Sequence, residues 1–291
     1  MRKRSGFTII EVSLFLAITA LLFVGITVGT QNSINQQRYA DSVNSFADFL
    51  RNIYSEVSNP QSKGYGNSDR AIYGKLVTFG ESKNLTGENN AKDEFFVYDV
   101  VGDANGAIGS SSLGEALKAV NATVISRTET KNANGSQITR TYGFAGYSES
   151  YLPRWDSKIE NQKGEIIKGS ILVVRHPNSG TITTLVSSKV PQVNEKLKAT
   201  SGQAYIYNNT GQQCMSTCTG EAELTNFEKE LVEGWKDYKS KEVIFCVNPF
   251  GDSARRQEVK ITKDARNSSG VVVVELDGSK NKCQSENNSD E

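Results

Sequence analysis

The chain has 291 residues, enough for one large or two modest domains with a hydrophobic core. Its 33 basic and 33 acidic residues cancel, which argues against the overall positive field of a nucleic-acid-binding chain. Only 5 prolines and 25 glycines are spread along the sequence, so it contains no collagen-like or proline-rich segment.

A basic leader and a long apolar run form the N-terminus. Residues 1–6, MRKRSG, contain three basic side chains, and the apolar run at residues 7–30 carries one charge, Glu11. About 20 apolar residues in a helix cross a bilayer, so the run predicts a transmembrane helix. The positive-inside rule keeps the leader in the cytoplasm and places the rest of the chain across the membrane. A carboxylate costs about 2.5–3.5 kcal/mol at the centre of such a helix and less near an interface, so Glu11 needs a partner.

Three simpler interpretations of this segment stay open. A secretory signal peptide has an apolar stretch of about 7–15 residues before a small-residue cleavage site, whereas this run is longer and is interrupted by Glu11. A plain membrane anchor explains the apolar run, but it explains neither Glu11 nor the junction between Gly6 and Phe7. In the third interpretation Gly6 is only a flexible joint.

The start of the apolar run resembles a known N-terminal motif. The sequence GFTIIEV at residues 6–12 resembles the N-terminus of type IV prepilins and type II secretion pseudopilins. The resemblance implies that a membrane prepilin peptidase cuts between Gly6 and Phe7 and methylates the new amino group of Phe7. It also implies that Glu11 meets the N-terminal amine of a neighbouring subunit as the helices bundle in a filament. That amine would be the partner that Glu11 needs.

The helix is expected to continue beyond the membrane over residues 31–58. Its apolar residues are spaced alternately four and three apart, as on one face of an amphipathic helix: Tyr39, Val43, Phe46, Leu50, Ile53 and Val57. Pro60 follows Asn59 and ends the helix, because the residue before a proline avoids helical angles. We expect this stripe to pack against a sheet of the same chain.

A sheet-rich head is expected over residues 61–276, followed by a polar tail at residues 277–291. The first block of the head begins with a glycine-rich loop at 61–69. Its strand-like runs are 71–79, 94–101, 121–130 and 138–145, with a loop at 102–113 and a short helix at 114–120. The second block has strand-like runs at 170–175, 181–188, 204–207, 242–247, 257–262 and 271–276, and a surface helix at 221–238. The predicted fold class is α+β, a long N-terminal helix packed on an antiparallel, sheet-rich globular head.

Part of the second block is similar to the GspH/FimT-like group of minor pilins, over residues 169–182 and 243–274. Some members of that group bind DNA through a Gly-Arg-x-Arg loop, whereas this chain has GDSARR at residues 251–256. The residues that would contact phosphates are Arg255, Arg256 and Lys260, and such contacts give affinity without sequence choice. Acidic residues interleave with these basic ones, so a solvated face is the simpler expectation.

The four cysteines lie in the segment that is expected to be exported: Cys214, Cys218, Cys246 and Cys283. An even number of exported cysteines favours two disulfides, and four cysteines permit three connectivities. We favour Cys214 with Cys218, and Cys246 with Cys283, because the second bridge would hold the tail on the last sheet. A zinc site and free buried thiols are the alternatives, although the second close cysteine pair of a zinc ribbon is missing.

The sequence contains no catalytic motif of the Gly-x-Ser-x-Gly or His-Glu-x-x-His type and no phosphate-binding glycine loop. The only histidine, His176, precedes Pro177 at a predicted strand end, where a role in a turn is expected. We therefore expect no enzymatic activity, no cofactor and no metal site.

These observations together predict a structural subunit, a pilin, minor pilin or pseudopilin of a type IV pilus-like filament. The expected partners are a prepilin peptidase, other pilin subunits and a pilus or secretion assembly machine. The precursor would cross the cytoplasmic (inner) membrane once, with its N-terminus in the cytoplasm, and would then join an extracellular filament at the cell surface. The alternative is a membrane-anchored extracellular binding protein, either an adhesin or a DNA-uptake receptor.

Overall fold

The computed structural model describes residues 8–59, 70–80, 93–104, 109, 112–120, 122, 124–131, 137–144, 147–189, 204–208, 238–248, 256–275 and 281–283. Two α-helices lie in these ranges, α1 (Ile9–Ser58) and α2 (Leu113–Ala119). The strands are β1 (Arg70–Phe79), β2 (Phe95–Asp103), β3 (Ile125–Lys131), β4 (Gln137–Phe144), β5 (Tyr147–Tyr151), β6 (Lys158–Glu160), β7 (Gly169–Arg175), β8 (Ile182–Ser187), β9 (Ala204–Asn208), β10 (Val243–Asn248), β11 (Gln257–Ile261) and β12 (Val271–Val273). The described strand pairs are antiparallel, so the fold is α+β with the long helix on a sheet-rich head, as predicted.

α1 is one continuous helix of 50 residues, about 75 Å long at 1.5 Å per residue. Thr8 caps its N-terminus, because the Thr8 side-chain oxygen accepts a hydrogen bond from the Glu11 backbone N–H at 3.3 Å. At the other end, the Asn59 backbone N–H donates to the Ser55 carbonyl oxygen at 3.1 Å. The helix therefore ends directly before Asn59, where Pro60 predicts its end.

The C-terminal half of α1 supplies the centre of the hydrophobic core. The predicted stripe is buried, apart from half-buried Tyr39, and it packs against strands β1, β2, β7 and β8 and against strands β10, β11 and β12. The rings of Phe95 and Phe245 each lie 5.2 Å from the ring of Phe46, in edge-to-face contact. Full burial of one large apolar side chain stabilises a fold by about 1.5–3 kcal/mol, so this stripe holds α1 firmly on the head.

The first sheet has five strands in the order β5-β2-β1-β7-β8. The central strand, β1, pairs with β2 on one side and with β7 on the other. The register between β1 and β2 shifts between Ile72 and Gly74, as at a β-bulge. Glycine is required at position 74, because a Cβ there would overlap the Val173 carbonyl oxygen of β7.

The second sheet has the order β12-β11-β10-β6, and β3, β4 and β9 form a third. A disulfide joins Cys246 of β10 to Cys283, with the two Cα atoms 5.5 Å apart. Beside this bridge, Asn281 Nδ2 donates a hydrogen bond to the Arg256 carbonyl oxygen at 3.0 Å. Residues 281–283 are thereby held on the second sheet by the pairing that the sequence analysis favours.

Several elements differ from the sequence-based expectation. The sequence does not predict β5 or β6, because β5 reads YSESY, without a β-branched residue, and β6 has only 3 residues. β2 continues to Asp103, inside the range predicted as a loop. The strand expected at 121–130 begins only at Ile125, after α2. The surface helix expected at 221–238 lies outside the described residues except for Tyr238, which is buried.

Candidate functional site

The N-terminal half of α1 presents its apolar side chains to the outside instead of packing on the head. Its large apolar residues are exposed, among them Ile9 at 89%, Phe15 at 67% and Phe23 at 74%. The helix is long and apolar enough to cross a membrane, and its most apolar window is 0% buried. The core helix of a soluble protein would bury such a window. An exposed apolar surface of this size is typical of a segment that contacts lipid or other proteins.

Four hydroxyl side chains on this half of α1 are satisfied within the helix. Ser13, Thr19, Thr27 and Thr30 each donate a hydrogen bond to a carbonyl oxygen three or four residues earlier, over 2.7 to 2.9 Å. A hydroxyl without a partner is costly in an apolar medium. Because these four already have acceptors, the segment can enter lipid or a helix bundle without an unpaired hydroxyl donor.

Glu11 is the single charged residue between Thr8 and Gln37. It is exposed in the first turn of α1, where the positive end of the helix dipole favours a carboxylate. Gly6 and Phe7, the expected cleavage and methylation sites, lie outside the described residues. The structure therefore gives the surroundings of Glu11, while the cleavage junction stays a prediction from the sequence.

The residues expected to contact DNA do not form a basic surface among the described residues. Arg256 is 5% exposed, and its Nη1 lies 3.5 Å from the Gln162 carbonyl oxygen. Lys260 is half-buried with its Nζ 3.6 Å from Oε1 of Glu258, which is fully buried. The burial of Arg256 and Glu258 differs from the expected solvated face, because residues 281–283 lie against them: Asn281 Nδ2 donates to the Arg256 carbonyl oxygen and the Lys282 backbone N–H donates to Glu258 Oε2. The Arg256 side chain is therefore not exposed to a phosphate. Arg255 lies outside the described residues.

The remaining predicted residues have structural surroundings. His176 Nδ1 accepts hydrogen bonds from the backbone N–H groups of Asn178 and Ser179 at 3.2 and 3.3 Å, as a turn residue does. Cys214 and Cys218 lie outside the described residues, so their pairing stays a prediction. In the part of the chain that is described, no group of three or more His, Cys, Asp or Glu side chains is placed to hold a metal ion.

An ionic cluster of two buried residues, Lys75 and Asp99, and the partly exposed Glu56 fastens α1 to the first sheet. Lys75 Nζ of β1 lies 2.5 Å from Asp99 Oδ1 of β2 and 2.7 Å from Glu56 Oε2 of α1. Burial alone would lower the pKa of Lys75, but hydrogen bonds and charges from Asp99 and Glu56 raise it instead. Burial, and then the Glu56 carboxylate, raise the pKa of the neighbouring Glu149. The sequence gives no signal for this cluster, because its members are far apart along the chain.

An open groove of about 860 Å³ lies between α1 and β5, close to the same cluster. One wall is the face of α1 that carries Asp48, and the other wall is formed by residues 149–152. The sequence does not predict this groove because it does not predict β5.

The chain matches no protein-family model, no curated protein and no solved structure.

Proposed function

We propose that this chain is a structural subunit of a type IV pilus-like filament, a pilin, minor pilin or pseudopilin. Prepilin peptidase cleaves the precursor between Gly6 and Phe7 and methylates Phe7, and the subunit then assembles through α1. The observation that carries this proposal is the division of one helix into two halves. The first half of α1 is apolar and exposed, and the second half forms the centre of the core of the head.

Such a helix suits a subunit that moves from a membrane into a filament. In the precursor, lipid covers the exposed apolar half; in the filament, the same half is covered by the corresponding helices of neighbouring subunits. Lipid tails are as apolar as leucine, so association depends on packing and on small residues that permit close approach. Gly25 and Gly29 lie on this half, and a Cβ at either position would meet nothing within 4 Å. Both positions are therefore open to a neighbouring helix.

Glu11 gives the assembly its register. In lipid or in a bundle the carboxylate is costly without a partner. The free amine that cleavage creates at Phe7 of a neighbouring subunit supplies that partner. A buried ion pair of this kind contributes more to alignment than to net stability, because desolvation offsets most of the attraction. One residue thus links cleavage, which makes the amine, to assembly, which uses it.

The experiment that tests this role compares Glu11→Ala with Ser13→Ala, a matched change two residues away on the exposed half of α1. The Glu11→Ala subunit leaves the neighbouring amine buried without its counter-charge, so its share in sheared filaments falls at least about tenfold. Ser13→Ala assembles like the wild type, because the Ser13 hydroxyl bonds only within its own helix. Formation of the Cys246–Cys283 disulfide reports that the head of each variant has folded. Normal incorporation of Glu11→Ala into filaments contradicts the proposed role.

A membrane-anchored extracellular binding protein is the alternative, with α1 serving for display alone. It predicts a chain that keeps residues 1–6 and stays in the membrane fraction when filaments are sheared. For a DNA-uptake receptor in particular, the buried position of Arg256 offers no support.

A further inference from the structure

The groove between α1 and β5 follows the edge of the first sheet. Its α1 wall is a single helix face that runs from Asp41 to Asn52, and its other wall is formed by residues 149–151 of β5 and by Leu152, which follows the strand. Successive side chains of a strand point to opposite faces of a sheet. A wall of consecutive residues is what a groove along the strand edge would have, and the lining includes no residue of β2, the next strand of the sheet.

Within the described part of the chain, one side of the strand edge that borders the groove has no strand paired to it. β5 is the last strand of the five-stranded sheet, and it pairs with β2 on one side only. None of the described strands pairs with the other side. Alternate residues of an edge strand direct their N–H and C=O groups away from the sheet, which makes the edge a template for one more strand. An extended peptide can bind by adding to such an edge.

The dimensions of the groove suit a short extended segment. From Asp41 to Asn52 the helix wall rises about 16 Å, at 1.5 Å per residue. Five residues of extended chain also cover about 16 Å, at about 3.3 Å per residue. β5 itself has 5 residues, so one short segment could pair with its full length.

The walls of the groove are held in place before anything binds. The rings of Phe49 and Tyr151 stack at 4.7 Å between centroids and join the two walls. At one end, the Arg38 guanidinium lies 5.0 Å from the ring centroid of Trp155. Trp155 has a φ of 59°, in the left-handed region that bulky residues rarely adopt, so its position is set by the surrounding fold. A preformed groove lowers the entropic cost of binding.

The charges along the groove favour a basic occupant. Asp41, Asp48 and Glu149 line it together with one basic residue, Arg154. Asp48 already pairs with Arg51 at 2.9 Å. Asp41 and Glu149, by contrast, make no ion pair among the described residues. Burial, and then the Glu56 carboxylate, raise the pKa of Glu149, while Lys75 and a hydrogen bond from Asn52 act in the opposite direction, so a further cation beside Glu149 would favour its charged form.

We propose that this groove binds an extended, lysine- or arginine-bearing segment of a partner protein, which adds to the outer edge of β5 as a sixth strand. Its basic side chain lies beside Glu149, and its backbone pairs with β5. Most of the lining is polar or charged, so the groove does not suit the apolar half of α1 from a second copy. The proposal concerns the head and does not depend on filament assembly.

The test uses the full chain in lipid nanodiscs and a pool of seven-residue peptides in which one position is lysine and the other positions are varied. Retained peptides are identified by mass spectrometry, and their affinities are measured by fluorescence anisotropy. We expect Asp41→Asn/Glu149→Gln to bind the best peptide at least about fivefold more weakly, because it loses two charge contacts. The control, Glu275→Gln, changes an exposed acid outside the groove and is expected to bind like the wild type.

Two further measurements separate strand addition from simple charge attraction. N-methylation of alternate backbone amides of the best peptide removes its N–H donors and should abolish binding. Hydrogen exchange should slow in β5 when the unmodified peptide is bound. The proposal is overturned if no peptide is retained, if the N-methylated peptide binds as well as its parent, or if exchange slows elsewhere and not in β5.

Discussion

The hydroxyl oxygen of Tyr54 lies 2.7 Å from Thr184 Oγ1, with both residues buried. Thr184 Oγ1 in turn donates to the Ala265 carbonyl oxygen at 2.7 Å, so its own proton is used there. Burial raises the pKa of Tyr54 to about 12, although its hydrogen bond to Thr184 acts in the opposite direction. Tyr54 therefore keeps its proton at neutral pH and donates to Thr184. This chain of hydrogen bonds links α1 to β8 of the first sheet and to the turn between β11 and β12 of the second.

The direction of these two hydrogen bonds predicts that substitutions of Tyr54 and Thr184 lower the free energy of unfolding by different amounts. Tyr54→Phe removes one donor and leaves Thr184 bonded to Ala265, so we expect a loss of about 1 kcal/mol in the free energy of unfolding. Thr184→Val leaves the Tyr54 hydroxyl and the Ala265 carbonyl both without this partner, so the expected loss is about 2–3 kcal/mol. Urea denaturation of the detergent-solubilised chain, followed by circular dichroism, measures both. A larger loss for Tyr54→Phe would contradict the assigned direction.

The cluster around Lys75 predicts that removing Lys75 alone lowers the free energy of unfolding more than removing Lys75 and Asp99 together. The side chains of Lys75 and Asp99 are only 4% and 2% exposed. Lys75→Met leaves the Asp99 carboxylate buried without its cation, with an expected loss of about 3–5 kcal/mol in the free energy of unfolding. Lys75→Met/Asp99→Leu should recover most of that loss, because no buried charge of the pair remains. The same urea titration measures both variants, and a double variant less stable than Lys75→Met would refute this account of the cluster.

The raised pKa of Glu149 predicts that the free energy of unfolding changes with pH. Burial, and then Glu56, raise its pKa above the ordinary value of 4.5, while Lys75 and Asn52 act in the opposite direction. The folded state therefore holds the proton to a higher pH than the unfolded chain does. The resulting stabilisation is fully present below pH 4.5 and is lost as the pH rises through the folded pKa.

Glu149→Gln should therefore have a higher free energy of unfolding than the wild type at neutral pH. The difference should shrink as the pH falls towards 4.5, because the wild-type carboxyl is then also neutral. Urea titrations across this pH range measure it, with Glu275→Gln as the exposed control. A variant less stable than the wild type at neutral pH would show that the Glu149 charge is stabilising.

The parts of the fold that can be predicted from the sequence are those in which one segment carries its own periodic signal. The stripe from Tyr39 to Val57 repeats at helical spacing, and burial of that face is its direct consequence. β7, with the sequence GSILVVR, is a nearly continuous apolar run and is buried almost throughout. The α1 stripe and most strands of the larger sheets are therefore predictable from local pattern alone.

The groove and the buried charges depend on segments that are distant in the sequence. Asp41 and Glu149 face the same groove, yet no local pattern relates them. Glu258 is charged and lies among other charged residues, which suggests a solvated strand. It is nevertheless buried, because β10, β12 and the backbone N–H of Lys282, which donates to Glu258 Oε2 at 2.7 Å, surround it. Composition alone does not reveal such partners.

The exposed half of α1 is partly predictable from its own sequence and partly dependent on other parts of the fold. Its apolar character and Glu11 are evident in the sequence, and the structure adds that the head leaves this half uncovered. In the proposed function, the partner that covers it is another subunit or a membrane, and neither belongs to the fold of a single chain. For that reason the filament role stays a proposal, and it depends on the chemistry of the N-terminus.

Mass spectrometry of the N-terminal peptide, on protein purified from the cells that make it, tests the central proposal most directly. Processing by a prepilin peptidase predicts a first residue of Phe7 with a methyl group on its amino nitrogen. A chain that keeps residues 1–6 would contradict the proposal and favour a plain membrane anchor. A chain cut after the apolar run would contradict it as well, because the secreted head would lack the half of α1 through which the filament assembles.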